Sequence, residues 1–144
     1  MRIGLALAFA LVAAGCLDVH ELQGEWSGKR IGDAPVLRVG FDTAATAELD
    51  LDAVEQDGLS GRLTITGVID DAPIAPILGA QSDVLAGLTH TGNPVSVHMA
   101  FVNTVDGGGP ATVLVSVYDK ARIEVRVLRG GATPLYGVFR LGPR

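Results

Sequence analysis

Apolar and polar residues alternate with a period of two along most of the chain after its first twenty residues. Residues 47–53 (AELDLDA) show this most clearly, with alanine and leucine on one side and acidic residues on the other. A period of two is typical of a strand buried on one face. Residues 36–41 and 61–69 have a similar character, and residues 56–58 (QDG) predict a hairpin turn, because Asp-Gly supplies the positive φ that tight turns need.

The last third of the chain returns to the same pattern. Strands are predicted over residues 95–101, 113–118, 123–127 and 135–141. The turns between them are predicted at residues 106–110 (DGGGP), 119–120 and 129–131, because glycine and proline interrupt regular structure.

Residues 70–93 are the least regular part of the chain. Pro73 and Pro76 restrict this part to a loop or to the edge of a sheet, because proline donates no ladder hydrogen bond. Residues 82–88 fit a short helix with Ser82 as its N-cap, or an irregular strand.

The predicted fold class is all-β. Eight to ten short strands, joined mostly by tight turns and interrupted by 19 glycines, are typical of a barrel or a sandwich. Because the hairpins are local, the sequence favours an antiparallel up-and-down barrel of about eight strands, with a β-sandwich as the alternative.

The first fifteen residues do not belong to this pattern. One positive charge at Arg2 precedes a 13-residue run of apolar and small residues that ends at Cys16, the single cysteine. This arrangement is typical of a secretory signal peptide. The run is shorter than the roughly 20 residues of a good spanning helix.

Residues 11–16 (LVAAGC) resemble the lipobox of bacterial lipoproteins, although Ala13 stands where leucine is usual. The resemblance implies that Cys16 carries a lipid such as palmitate and becomes the first mature residue. Ordinary cleavage after Ala14 or Gly15, with Cys16 incidental, is the alternative. A single acylated cysteine also explains why an exported chain has no second cysteine for a disulfide.

The predicted organisation is therefore a signal peptide over residues 1–15, a tether over 16–23 and one barrel domain over 24–144. Leu17, where aspartate would signal retention in the inner membrane, follows the cysteine. The resemblance thus implies an exported protein, lipid-anchored to the bacterial cell envelope at the outer membrane.

The start of the barrel domain contains the only tryptophan, within residues 24–26 (GEW). This Gly-x-Trp segment resembles the opening strand of the calycin superfamily, which includes lipocalins, fatty-acid-binding proteins and avidins. The resemblance implies that Trp26 plugs one end of the barrel and that Arg140, from the last strand, lies across it. A cation over an indole contributes about 0.5–2 kcal/mol. Avidins use several tryptophans around biotin, so biotin is not an expected ligand.

Charge is unevenly distributed along the chain. Residues 16–83 carry 4 basic and 13 acidic side chains, whereas residues 84–144 carry 6 basic and 3 acidic ones. No basic stripe with interleaved aromatic residues is present, so nucleic acid is not an expected partner.

Catalysis has no support in the sequence. The serines lie outside any nucleophile-elbow pattern, and the three histidines lack the spacing of a zinc site. Glu48, Asp50 and Asp52 form a carboxylate row along one strand face, but such a row does not converge on a cation. Neither a metal nor a cofactor is expected, and the protein is predicted not to be an enzyme.

Two functions fit these expectations. The favoured one is a lipid-anchored, non-catalytic interaction or accessory module that meets another envelope protein, because 5% aromatic residues is few for a ligand pocket. The alternative is a lipocalin-like carrier of a small apolar ligand inside the barrel. The candidate lining residues for that ligand are Phe41, Met99, Phe101 and Phe139.

Overall fold

The computed structural model describes residues 19–31, 40–42, 44–53, 59–74 and 96–144. Within these ranges the chain forms a 3₁₀ turn (Val19–Leu22) followed by eight strands. The strands are β1 (Gly24–Arg30), β2 (Thr46–Ala53), β3 (Leu59–Ile65), β4 (Ile69–Ile74), β5 (Ser96–Asn103), β6 (Pro110–Asp119), β7 (Arg122–Arg129) and β8 (Leu135–Pro143).

All eight strands belong to one antiparallel sheet in the order β4-β3-β2-β1-β8-β7-β6-β5. The first and last strands therefore pair in the middle of the sheet, and β4 and β5 are its edges. These edges meet, because the backbone N–H of Val105, beyond β5, donates to the carbonyl O of Val68, before β4, at 2.8 Å. The sheet is thus a nearly closed up-and-down barrel, and the predicted fold class is confirmed.

The interior of the barrel is filled by apolar side chains that alternate along each strand. In β6, Val113, Val115 and Val117 point inward and are buried, as the β-branched pattern predicts. Among them, the rings of Phe41 and Phe139 meet edge to face, with centroids 5.2 Å apart. An eight-stranded barrel encloses just enough space for side chains to fill.

Two inward-facing glycines allow neighbouring strands to approach closely. A Cβ atom at Gly28 would overlap the carbonyl O of Arg140 in β8, and one at Gly61 would overlap the carbonyl O of Asp50 in β2. Any side chain at these positions would push the strands apart, so both glycines are requirements of the barrel wall.

Several turns and edges differ in detail from the predicted ones. The β6–β7 turn is formed by Lys120 and Ala121, one residue later than predicted, because Asp119 pairs with Arg122. Pro73 lies in β4, an edge strand, which confirms the edge alternative for this residue. Gly40 and Phe41 lie outside any strand, and residues 36–39 of the predicted strand and the turn 56–58 lie outside the described residues.

We expect Gly28→Ala to lower the free energy of unfolding by about 3 kcal/mol or more, because the new methyl group would separate β1 from β8. Gly130→Ala is the matched control, since a Cβ atom there meets no atom within 4 Å. It should change stability by no more than about 0.5 kcal/mol. Urea denaturation of both variants measures the difference, and equal stabilities would contradict the close β1–β8 approach.

Candidate functional site

Trp26 plugs the end of the barrel at which the chain enters. Its side chain is only 3% exposed, and its indole Nε1–H donates to the carbonyl O of Leu22 at 2.9 Å. Leu22 belongs to the 3₁₀ turn and is itself buried in the core. The indole is therefore covered by the N-terminal turn, which lies within the predicted tether of residues 16–23.

The predicted contact between Trp26 and Arg140 is wrong. Arg140 pairs with Lys29, whereas Trp26 stands opposite Pro143. Because successive side chains of a strand point to opposite faces, Trp26 points inward and Arg140 outward. The Arg140 side chain is 47% exposed and donates to Glu124 at 3.2 Å.

Residues 19–22 of the predicted tether form the 3₁₀ turn. The 3₁₀ turn packs on the barrel through Leu22, and Glu21 forms an ion pair with Lys120 of the β6–β7 turn at 2.6 Å. This pair is solvent-exposed, so it fixes position more than it stabilises. Cys16 lies outside the described residues.

The opposite end of the barrel is closed by Arg129, at an inward-facing position of β7. Its guanidinium donates to both carboxylate oxygens of Asp106 at 2.8 Å, to Thr104 Oγ1 at 2.6 Å and to the carbonyl O of Thr133 at 2.8 Å. Gly108 lies against the guanidinium so closely that a Cβ atom would overlap it. The network joins the β5–β6 loop to the β7–β8 loop across the barrel opening.

The charge of Arg129 acts on the carboxylate that it holds. Hydrogen bonding by Arg129, followed by the Gly108 N–H and the Thr104 hydroxyl, keeps the pKa of Asp106 well below its ordinary value. The carboxylate therefore stays ionised throughout the physiological pH range, and the plug is held by a charge-assisted bidentate pair.

The four candidate lining residues divide between the two faces of the sheet. Phe41 and Phe139 are inside and form part of the core. Met99 and Phe101 face outward, because Ala100 pairs with the inward-facing Val113, so their predicted place in the interior is wrong.

His98 occupies an inward-facing position instead. It pairs with Val115 and is buried. Burial lowers the pKa of its imidazole, because a charged ring is poorly solvated there. Ala100 and Val102, which lie two and four residues further along the same strand face, are also buried in the interior.

An apolar row crosses the outer wall formed by β5–β8. Its members are neighbours in the strand register: Phe101, Thr112, Leu128 and Tyr136. Phe101 is 65% exposed and Leu128 38% exposed, and Val105 in the adjoining loop is 61% exposed. These three large exposed residues are referred to below as the apolar corner.

The same wall carries a polar cluster nearer the β6–β7 turn. Glu124 is buried and accepts hydrogen bonds from Arg140 and, at 3.4 Å, from the Tyr118 hydroxyl. The Arg122 guanidinium lies 4.0 Å from the centroid of the Tyr118 ring, a favourable cation–π distance. Basic side chains outnumber acidic ones in this cluster.

A shallow groove of about 140 Å³ lies on the outer wall of β1–β4. Four carboxylates line it: Glu25, Glu48, Asp50 and Asp71. Arg62 holds Asp71 through a 2.7 Å hydrogen bond, and Arg144 pairs with Glu48 at 3.3 Å. Across the described ranges, no three histidine, cysteine or acidic residues are grouped closely enough to hold a metal ion.

Comparisons with known proteins give no relative. No family model, curated protein or solved structure matches the chain significantly. The geometry itself is compatible with a calycin-like barrel, since eight antiparallel strands in a nearly closed barrel are present. In the part of the chain that the structure describes, no helix is long and apolar enough to cross a bilayer.

We expect Asp106→Asn to lower the thermal unfolding midpoint at neutral pH, because the bidentate ion pair with Arg129 is lost. The folded-state pKa of Asp106 is depressed, so its contribution is present above the ordinary aspartate pKa and is lost as pH falls below it. The difference between wild type and variant should shrink as the solution is acidified. Asp70→Asn, at an exposed position, is the control, and an identical profile for both variants would contradict the plug.

A second pH effect should come from His98. Because its pKa in the folded protein lies below 6.5, the unfolded chain takes up the proton first as pH falls. The free energy of unfolding should therefore decrease from about pH 7 to about pH 5. His98→Gln should flatten this slope, and His20→Gln, at an exposed site, should leave it unchanged. Titration of unfolding by intrinsic fluorescence tests this, and an unaltered slope in His98→Gln would refute it.

Proposed function

We propose that this protein is a lipid-anchored envelope protein that acts through the outer surface of its barrel, as a non-catalytic interaction module. The observation that carries the proposal is the filled interior. Buried apolar side chains occupy most inward positions of the described strands, and Trp26 and the Arg129 network lie at opposite ends. A barrel with a filled interior can contact a partner through its outer surface.

The alternative, a carrier of a small apolar ligand, is less well supported. Two of its four candidate lining residues, Met99 and Phe101, face outward, and the other two pack against each other. Carriers with eight strands need inward positions that leave space for the ligand. A calycin relationship is part of the proposal only through the Trp26 plug, because Arg140 does not cover it.

The proposed localisation of the protein depends on Cys16 and the leader peptide before it. We propose that export is followed by lipid attachment at Cys16, and that Leu17 directs the chain to the outer membrane. The 3₁₀ turn starts at Val19, so a lipid on Cys16 would be joined to the barrel by only two intervening residues.

Metabolic labelling with radioactive palmitate tests the anchor. The wild-type chain should incorporate the label and sediment with membranes, and Cys16→Ala should lose both properties, because no other cysteine is available. Ser27→Ala, which leaves the leader intact, is the control. Label retained in Cys16→Ala would contradict lipid attachment at this residue.

A fluorescent fatty-acid probe and native mass spectrometry together separate the module from the carrier. The filled interior predicts no saturable enhancement of probe fluorescence and no co-purified ligand mass. Saturable binding that is weakened by substituting Phe139, a core residue, would establish the carrier instead. The result does not depend on the lipid, so it tests the function of the barrel and not its location in the cell.

A further inference from the structure

We propose that residues 75–95, which connect β4 to β5, pack over the outer wall of β5–β8 as a second layer of the fold. The inference goes beyond the proposed function, because it depends neither on a lipid nor on a partner. It commits to this one segment of the chain. Coverage of the wall by the leader or by residues 32–39 is left as an outcome of the test.

The outward positions at the centre of this wall are buried, although they face away from the barrel interior. Val97 of β5, Leu114 of β6 and Val138 of β8 are 0%, 2% and 4% exposed. The outer face of a sheet stays in contact with water unless another element covers it. Within the described ranges no element forms such a layer, since the 3₁₀ turn contacts β2. The burial therefore indicates a covering segment elsewhere in the chain.

The buried area has the size of one short element. Ser116 and Glu124 belong to it, whereas Phe101 and Leu128, further from the β6–β7 turn, are exposed. Neighbouring strands lie about 4.8 Å apart, so the four strands span about 14 Å. A helix with its side chains is about 10–12 Å wide. A single segment of this chain is thus sufficient to bury these positions, and a separate domain is not required.

The connection between β4 and β5 is much longer than its ends require. The two strands meet at the seam, where the Val105 N–H donates to the carbonyl O of Val68, and hairpin loops typically need about 2–5 residues. The connection has 21 residues, from 75 to 95. Fully extended they reach about 70 Å, enough to cross the wall and return. The segment also ends at Ser96, directly before the buried Val97 at the edge of this wall.

The composition of residues 75–95 suits a position on this wall. Five of them are large and apolar: Ile77, Leu78, Val84, Leu85 and Leu88. Apolar residues in such number are seldom left together in water. Asp83 is the only charged residue of the segment. Its carboxylate matches Arg126, an outward residue only 5% exposed, because a guanidinium away from water needs acidic or carbonyl neighbours.

The other two candidate segments fit the wall less well. Residues 3–15 are apolar but contain no acidic residue, and the proposed cleavage would remove them. The residues that flank 32–39 both contact β8: the Ile31 N–H donates to a β8 carbonyl at 2.8 Å, and Gly40 lies against Leu135. The path from β8 to β5 and back is about 29 Å. Eight residues reach about 28 Å when fully extended, so they cannot form a layer there.

The test measures how fast single added cysteines react with a maleimide in the full-length chain. Val138→Cys reports the covered part of the wall, Leu128→Cys its exposed end and Val125→Cys the interior. The chain without an added cysteine gives the background from Cys16. Its intact mass shows whether residues 1–15 have been removed.

We expect Val138→Cys to react at least about tenfold more slowly than Leu128→Cys, because it reacts only when the segment moves away from the wall. The double serine variant, Leu85→Ser with Leu88→Ser, should remove this difference, because the apolar contact with the wall is lost. Val125→Cys should stay protected in the double serine variant, since the barrel itself remains folded.

A crosslinking measurement tests the same contact without altering the segment. Benzophenone maleimide on Leu128→Cys should crosslink on illumination to residues 75–95, which mass spectrometry of the digest locates. The same reagent on Asp52→Cys, an exposed position of β2 on the opposite wall, is the control and should not. If the double serine variant unfolds, the crosslink decides, and its absence would contradict the proposal.

Three further results would overturn the proposal in distinguishable ways. Rapid modification of Val138→Cys in a chain that lacks residues 1–15 would mean that the leader had covered the wall. Protection that survives in the double serine variant, with crosslinks to residues 32–39, would assign the wall to that segment. Val105→Ser alters an exposed apolar residue outside the segment and is the matched control. Loss of protection there as well would mean that the wall opens without any change in residues 75–95.

Discussion

The constraint on which the structure depends is the narrow interior of an eight-stranded barrel. Eight strands enclose a space that inward-facing side chains fill, so each inward position must carry a residue of suitable size. Valine, leucine and isoleucine fill most of these positions, and glycine at 28 and 61 lets the wall close tightly. Trp26 at one end and Arg129 at the other complete the seal. The proposed interaction with a partner therefore places that partner on the outer wall.

The two walls of the barrel differ in a way that this constraint does not require. Outward positions of β1–β3 are polar or charged, whereas those of β5–β8 include buried Leu114, Ser116 and Tyr118 and the exposed apolar corner. Ser116 and Glu124 are direct cross-strand neighbours on this second wall. The outer surface of the barrel is therefore asymmetric, with a polar wall on β1–β4 and a partly apolar, partly buried wall on β5–β8.

The sequence predicted the strands better than their faces. The alternation in β2 is unambiguous because acidic residues occupy every outward position between Ala47 and Ala53. In β5 the inward face carries His98 and Ala100, whereas the more apolar Val97, Met99 and Phe101 lie outside, so the pattern favoured the wrong face. Where the outer wall is also buried, outward positions are apolar too, so the alternation of apolar and polar residues that identifies the inward face is lost.

The residues that close the two ends of the barrel were predicted only in part. A lone tryptophan near the start of the domain indicated a plug at one end of the barrel. Which residue of the last strand covers Trp26 depends on the cross-strand register, because a shift of one residue turns every side chain of a strand to the opposite face. Arg140 therefore fell on the outer face. The Arg129–Asp106 pair was missed although each residue borders a glycine-rich turn, because sequence patterns do not show which loops meet at one end of a barrel.

Closure of the sheet between its two edge strands is the central claim, and the amide proton of Val105 reports it directly. Hydrogen exchange followed by NMR should show this amide protected to a degree similar to the strand amides of β6, because it donates to Val68 across the seam. Exchange at the rate of an unstructured peptide would contradict it, and would leave an open sheet in place of a barrel.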